Sequence, residues 1–138
     1  GVAFRRPTFE GRRMIDGWWI AAQVLAGGLG AVTRFGIMAV VRPGAWSWGL
    51  FAVNAVGSFA VGAAAGAYSI QEIEWPVAAL VLAFSAGLTT FSTLTVTAAQ
   101  HIERRELRVG AILVTSHVVV GVALAALGYI STDLLLLA

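Results

Sequence analysis

The sequence predicts an all-α integral membrane protein of four transmembrane helices, and three observations lead there. Of the 138 residues, 59% are apolar and 12% charged, and the mean hydropathy is +0.85, values that belong to lipid-embedded chains. Lys is absent, and the nine Arg and seven acids fall mostly into short clusters separated by long uncharged runs, the layout of spans and loops. Trp18, Trp19, Trp46, Trp48 and Trp75 all stand at predicted span ends, where an indole buries its ring and still hydrogen-bonds at the headgroups.

Residues 1–17 read as a polar N-terminal arm with Arg5, Arg6, Arg12 and Arg13, and residues 18–138 as the four-helix domain. The arm lacks the early apolar run and cleavage site of a signal peptide, and the opening Gly1 in place of Met points to a trimmed chain. Its Arg and Phe residues suit the membrane surface or a disordered tail.

The spans run from about Trp18 to Val41, Trp46 to Ile70, Trp75 to Gln100 and Val109 to Ile130. Each is near the ~20 residues that ~30 Å of hydrocarbon requires. Arg42 to Ala45, Gln71 to Glu74 and His101 to Arg108 connect them, and such short loops predict sequential helices as antiparallel neighbours. The spans are apolar nearly all round, which excludes a soluble bundle with polar faces.

No Cys is present, so disulfides, thiolate chemistry and Cys metal sites are excluded. The pI near 9.9 reflects loop arginines; the formal charge is only +2, and no basic stripe interleaves with aromatics as nucleic-acid binding requires. An enzyme is not expected: His101 lies in a charged loop and His117 in a span, with no nucleophile, base and orienter together.

With an even number of spans, both termini share one side. That side holds Arg5, Arg6, Arg12 and Arg13, and the other holds Arg42, Arg104, Arg105 and Arg108. Four against four leaves the positive-inside rule undecided, and dual insertion into an antiparallel dimer is one reading of the balance. A lesser weight for the distal arm arginines, giving one fixed orientation, is the other. Four helices are thin walls for a pore, so a partner is expected. Gly27, Gly28 and Gly30 in the first span, and Ser58, Gly62 and Gly66 in the second, are small residues that let helices approach closely in lipid.

Polar residues inside spans cost free energy and call for a reason. They are Arg34, Asn54, Ser85, the Thr89 to Thr97 cluster, Thr115, Ser116 and His117. The run from Ser85 to Thr93, with its hydroxyls and Gly87, lowers the cost of breaking the third helix, and a break at that depth is tolerated where it lines a cavity or binds an ion. An intact helix with back-bonded hydroxyls is the alternative.

Three segments carry a resemblance: Ala26-Gly27-Gly28-Leu29-Gly30-Ala31-Val32-Thr33-Arg34, Val53-Asn54-Ala55-Val56-Gly57-Ser58-Phe59, and Gly87-Leu88-Thr89-Thr90-Phe91-Ser92-Thr93. They resemble, in order and on the matching helices, the signature segments of the Fluc (CrcB) family of bacterial fluoride channels. The resemblance implies half of a double-barrelled, antiparallel, dual-topology dimer in the bacterial inner membrane, conducting fluoride passively outward. It also implies a third helix broken near mid-membrane and a structural sodium, Na+, at the dimer centre, on backbone carbonyls at that break that map to Ala86 and Thr89. The family usually has Gly where Ala86 stands, and a carbonyl ligand survives that change.

The fluoride pathway implied by the resemblance holds Asn54 and Phe91, with Ser92 and Thr93 as hydroxyl donors. Fluoride is small and strongly hydrated, so it must be offered replacement donors; Asn54 has two amide N–H groups, and an aromatic ring edge is electropositive. Arg34 would draw anions toward the mouth or snorkel to the headgroups.

Three positions depart from the family. Leu94 replaces a second box Phe, Thr97 replaces an acid, and His117 stands where a small polar residue usually lines the track, with Thr115 and Ser116 nearby. His117 reads either as a hydrogen-bonded packing residue or as a group that makes flux vary between about pH 5.5 and 8. Leu94 and Thr97 leave homodimer and heterodimer with a second Fluc subunit both open, including a non-conducting partner role. A small multidrug-resistance exporter shares the size and span count, but it needs a membrane-embedded Glu, and no acid occurs between Trp18 and Ile70.

Overall fold

The computed structural model describes residues 17–41 and 47–136. Residues 1–16 of the arginine-bearing arm, the connection from Arg42 to Ala45, and Trp46 lie outside the described residues. Five helices follow one another: α1 Gly17–Val40, α2 Trp48–Ser69, α3 Trp75–Leu88, α4 Phe91–Glu103 and α5 Leu107–Leu136. They make four segments long and apolar enough to cross a membrane, Gly17–Val40, Trp48–Ser69, Trp75–Glu103 and Leu107–Thr132. Trp18, Trp48 and Trp75 are exposed at the first turns of α1, α2 and α3.

The helix ends have local causes. α3 starts behind an extended Glu74, with Pro76 in its first turn, where a missing N–H leaves no helical bond unmade. α2 closes through Glu72 N–H donating to the Ala67 carbonyl at 3.0 Å, with Gln71 at φ 65°. α4 closes the same way, Glu106 N–H donating to His101 O at 2.8 Å with Arg105 at φ 61°. Both are left-handed caps that satisfy the last carbonyls. α5 runs past the expected end at Ile130 because Ser131 and Thr132 turn their hydroxyls back onto the Gly128 carbonyl, at 2.9 and 2.8 Å.

Packing departs from chain order. α2 lies chiefly on α5 and α1 on α3; α3 also meets α2, α4 meets α5, and the sequential pair α1 and α2 touches least of these. Sequential helices are neighbours, as the short loops predict, but for α1 and α2 the contact is slight. Glycine decides the partners. A Cβ on Gly62 would fall on the carbonyl of Ala125 in α5, and one on Gly87 would fall on the carbonyl of Gly27 in α1. In lipid, where apolar burial gives little drive between helices, this close approach supplies the dispersion contacts that hold them. Leu50, Leu94 and Leu113, from α2, α4 and α5, form the one apolar cluster of fully buried residues among those described.

Candidate functional site

The third segment is helical on both sides of Thr89 and Thr90, which are extended at φ −77°, ψ 156° and φ −149°, ψ 113°. Two extended residues leave backbone groups that the helix can no longer pair, and side chains take them up. Thr90 N–H, which a continuous helix would send to the Ala86 carbonyl, donates instead to Asn54 Oδ1 at 2.9 Å. Asn54 Nδ2 lies 3.5 Å from the Thr90 carbonyl. Arg34, from α1, donates through one guanidinium nitrogen to the Thr89 carbonyl at 3.0 Å. Thr89 itself donates twice to the Ser85 carbonyl, from N–H and from Oγ1, both at 2.9 Å.

Thr90 is the N-cap of α4: its Oγ1 accepts the N–H of Thr93 at 3.3 Å. The same hydroxyl lies 3.2 Å from Ser92 Oγ and 3.0 Å from Thr93 Oγ1, so three hydroxyls share protons around the first turn of α4. That turn is the positive end of the helix dipole.

A shallow cavity of about 250 Å³ opens at this point, lined by Asn54, Ser58, Thr89, Thr90, Phe91, Leu94, His117 and Val118. Phe91 is 74% exposed, its ring open to whatever lies against this face. His117, which also lines the cavity, is buried: Nδ1–H donates to the Leu113 carbonyl at 2.8 Å, and the ring meets Phe51 edge-on, centroids 5.1 Å apart. His117 Nε2 and Ser85 Oγ are buried without a hydrogen-bond partner.

A second depression of about 390 Å³ lies further along α4, lined by Ser47, Thr97, Gln100, His101, Arg104, Glu106, Val109 and Leu113. There His101 Nδ1 and Glu106 Oε2 pair at 2.7 Å. Leu94 lines the first cavity and Leu113 the second, so the leucine cluster they share with Leu50 stands between them.

Of the residues singled out in the sequence, Asn54, Thr89, Phe91, Leu94 and His117 share the first cavity. Ser92 and Thr93 do not line it; they bond to the Thr90 hydroxyl behind it. Arg34 stands behind Thr89, and Ala86 is exposed on the last turn of α3. Thr97 turns its hydroxyl onto the Thr93 carbonyl at 2.8 Å. Thr90 and Ser58 were missed. Thr90 carried a signal, a Thr preceding a polar first turn, which is N-cap chemistry; Ser58 read only as a small packing residue.

Residues 21–129 match the family model described as CrcB-like protein, Camphor Resistance (CrcB). The chain is 32% identical over 117 residues to a fluoride-specific ion channel FluC of Bordetella petrii, covering 83% of this chain and 91% of that one. It is 40% identical over 62 residues to a fluoride-specific ion channel FluC of Bordetella avium, covering 43% of this chain and 48% of that one, about half its length.

Proposed function

Because this chain belongs to the CrcB family and is a multi-pass membrane protein, we propose that it is a subunit of a passive fluoride channel, letting accumulated fluoride leave a bacterial cell through the inner membrane. The observation that carries this reading is the interrupted third segment, where Thr90 and Phe91 at the start of α4 meet Asn54 at one open cavity. An anion leaving water there meets the positive end of α4, the electropositive edge of Phe91 and the Asn54 amide. Asn54 Oδ1 is engaged by Thr90, which orients the amide; one Nδ2–H faces the Thr90 carbonyl at 3.5 Å and the other is left as donor. Ser92 and Thr93 belong to the same hydroxyl set and relay donors toward Thr90. Arg34 adds positive charge through its hold on Thr89 and favours anions over cations at the mouth.

The active unit in this reading is an antiparallel, dual-topology dimer, either two copies or this chain with a second Fluc subunit. The exposed Phe91 ring supports a partner on that face, because one chain leaves the cavity open on its side. Sodium is the structural cofactor of the reading. Its fit rests on the Ala86 carbonyl, which loses its helical donor to Asn54, and on the Thr89 carbonyl, which keeps a lone pair beside the one Arg34 occupies. Both are oxygen donors of the kind a hard cation takes. When bound there, sodium would neutralise the exposed carbonyl dipoles and tie the break in place.

Fluoride efflux from liposomes containing only the purified chain, read with a fluoride electrode, tests the reading. Rapid efflux that Phe91→Ile and Asn54→Asp abolish is the outcome expected of a self-sufficient homodimer. Efflux that appears only with a second Fluc subunit present assigns the heterodimer. Absence of efflux under both conditions overturns the channel.

A further inference from the structure

Two buried polar atoms near the break have no partner, Ser85 Oγ and His117 Nε2, and only the second can change its charge. The Leu113 carbonyl can only accept, so the Nδ1 it holds at 2.8 Å must carry a hydrogen. In the neutral ring Nε2 is then a bare lone pair, which repels an anion. Protonation turns the same atom into a charged N–H donor without moving the ring, since Nδ1–H keeps its bond to Leu113 in both states. His117 is 8% exposed and lines the cavity that holds Asn54 and Phe91, and Phe51 packs against its ring edge-on.

Building on the channel reading, we propose that His117 is a protonation-dependent fluoride subsite: the imidazolium binds the ion through Nε2–H, so conduction rises as pH falls.

The surroundings leave the countercharge to the ion. α2 and α4 pack against α5, and their titratable groups are Tyr68 on α2 and His101 and Glu103 on α4. α5 itself carries Arg108, Tyr129 and Asp133. Tyr68, His101, Glu103, Arg108 and Tyr129 do not line the cavity, and the charged group bound to its wall is Arg34, through the Thr89 carbonyl. Among the described side chains no carboxylate lines the cavity to hold the proton on His117 in the absence of an anion. Proton and fluoride therefore bind with mutual help, each raising affinity for the other by the same factor. The bond they form is charge-assisted at both ends, the strong class.

The test is fluoride efflux from vesicles between about pH 8 and about pH 5, the range over which imidazole changes charge. Leak through protein-free vesicles is subtracted at each pH. The expected result is a rise of about tenfold on acidification, a factor that one added charge-assisted hydrogen bond supplies. His117→Gln keeps a donor but cannot titrate and is expected to give a flat profile; His117→Ala serves if the Gln variant does not fold. His101→Gln should keep the slope. A flat wild-type profile, or a slope that survives both His117 variants, overturns the subsite. A binding measurement stands apart from flux: nitrogen NMR of histidine-labelled protein in detergent, with the His117 signal assigned by its loss in His117→Gln. Fluoride, but not chloride, should raise the pH at which that signal titrates. If no vesicle preparation conducts at any pH, the channel reading falls while an upward shift still supports the subsite; a midpoint that fluoride leaves unmoved overturns it.

Discussion

Where α2 crosses α5 and α1 crosses α3, backbone lies against backbone with nothing between; at the Thr89 to Thr90 interruption the contact is made through two long side chains, Asn54 and Arg34. The first arrangement depends on the absence of atoms and the second on the presence of specific ones. A crossing of that kind tolerates no added carbon but is indifferent to hydrogen bonding. The interruption tolerates changes of bulk but not the loss of a donor or acceptor. The two regions should therefore fail differently, the crossings in assembly and the interruption in conduction.

The largest effect is expected at the crossing. A Cβ at Gly62 meets the carbonyl, C and Cα of Ala125, all backbone atoms that cannot swing aside. Gly62→Val must push α2 off α5, and overpacking of this type costs about 1–3 kcal/mol or more. We expect loss of monodisperse protein on size-exclusion chromatography. Gly28→Ala is the matched control, since its added carbon meets nothing within 4 Å. Equal behaviour of the two variants would break the distinction between the regions.

Asn54→Ala is expected to do the converse. It leaves the Thr90 N–H without its acceptor, and an orphaned buried donor costs about 1–3 kcal/mol. The glycine crossings are untouched, so the protein should still purify as one species, with a lower melting temperature and fluoride efflux reduced to the leak of empty vesicles. Retained efflux in Asn54→Ala would mean that Thr90 finds another acceptor and that the amide is not on the path.

The same contrast explains how much could be read in advance. Lipid demands apolar residues on every side of a span, so segment number and limits are written in the one-dimensional sequence, and they agree with the helices to within a few residues apart from the end of α5. The apolar segment ends at Thr132, two residues past the expected Ile130, and α5 itself continues to Leu136, with the Ser131 and Thr132 hydroxyls bonded back to Gly128. The glycines announced close approach but not to which helix, because a missing side chain is silent about what fills its place. Asn54 was legible as a polar residue in a span that needs a reason; that its Oδ1 would accept from the Thr90 backbone was not, since the bond spans helices and depends on where the interruption falls. Its placement between Thr89 and Thr90 comes from local chemistry, Ser85 closing one helix and Thr90 capping the next.

Arg34 sharpens the comparison because it belongs to both regions: it rides on α1, close to the glycines that meet α3, and its guanidinium reaches the interruption. Snorkelling to the headgroups and holding Thr89 make opposite demands on it, and the 3.0 Å bond to the Thr89 carbonyl favours the second. Arg34→Lys keeps the charge but loses the planar fork that fixes its direction. Arg34→Gln keeps a donor and loses the charge. A hydrogen bond to a charged group contributes about 1.5–3 kcal/mol when buried, and less here because the pair is only partly buried. We therefore expect a change smaller than that of Asn54→Ala, with both variants folded and efflux lowered several-fold. If charge near the mouth is what matters, Lys restores most of the rate and Gln does not; if holding the Thr89 carbonyl is what matters, the order reverses. Efflux measured at low and high salt separates the two, since screening weakens the first effect and leaves the second unchanged.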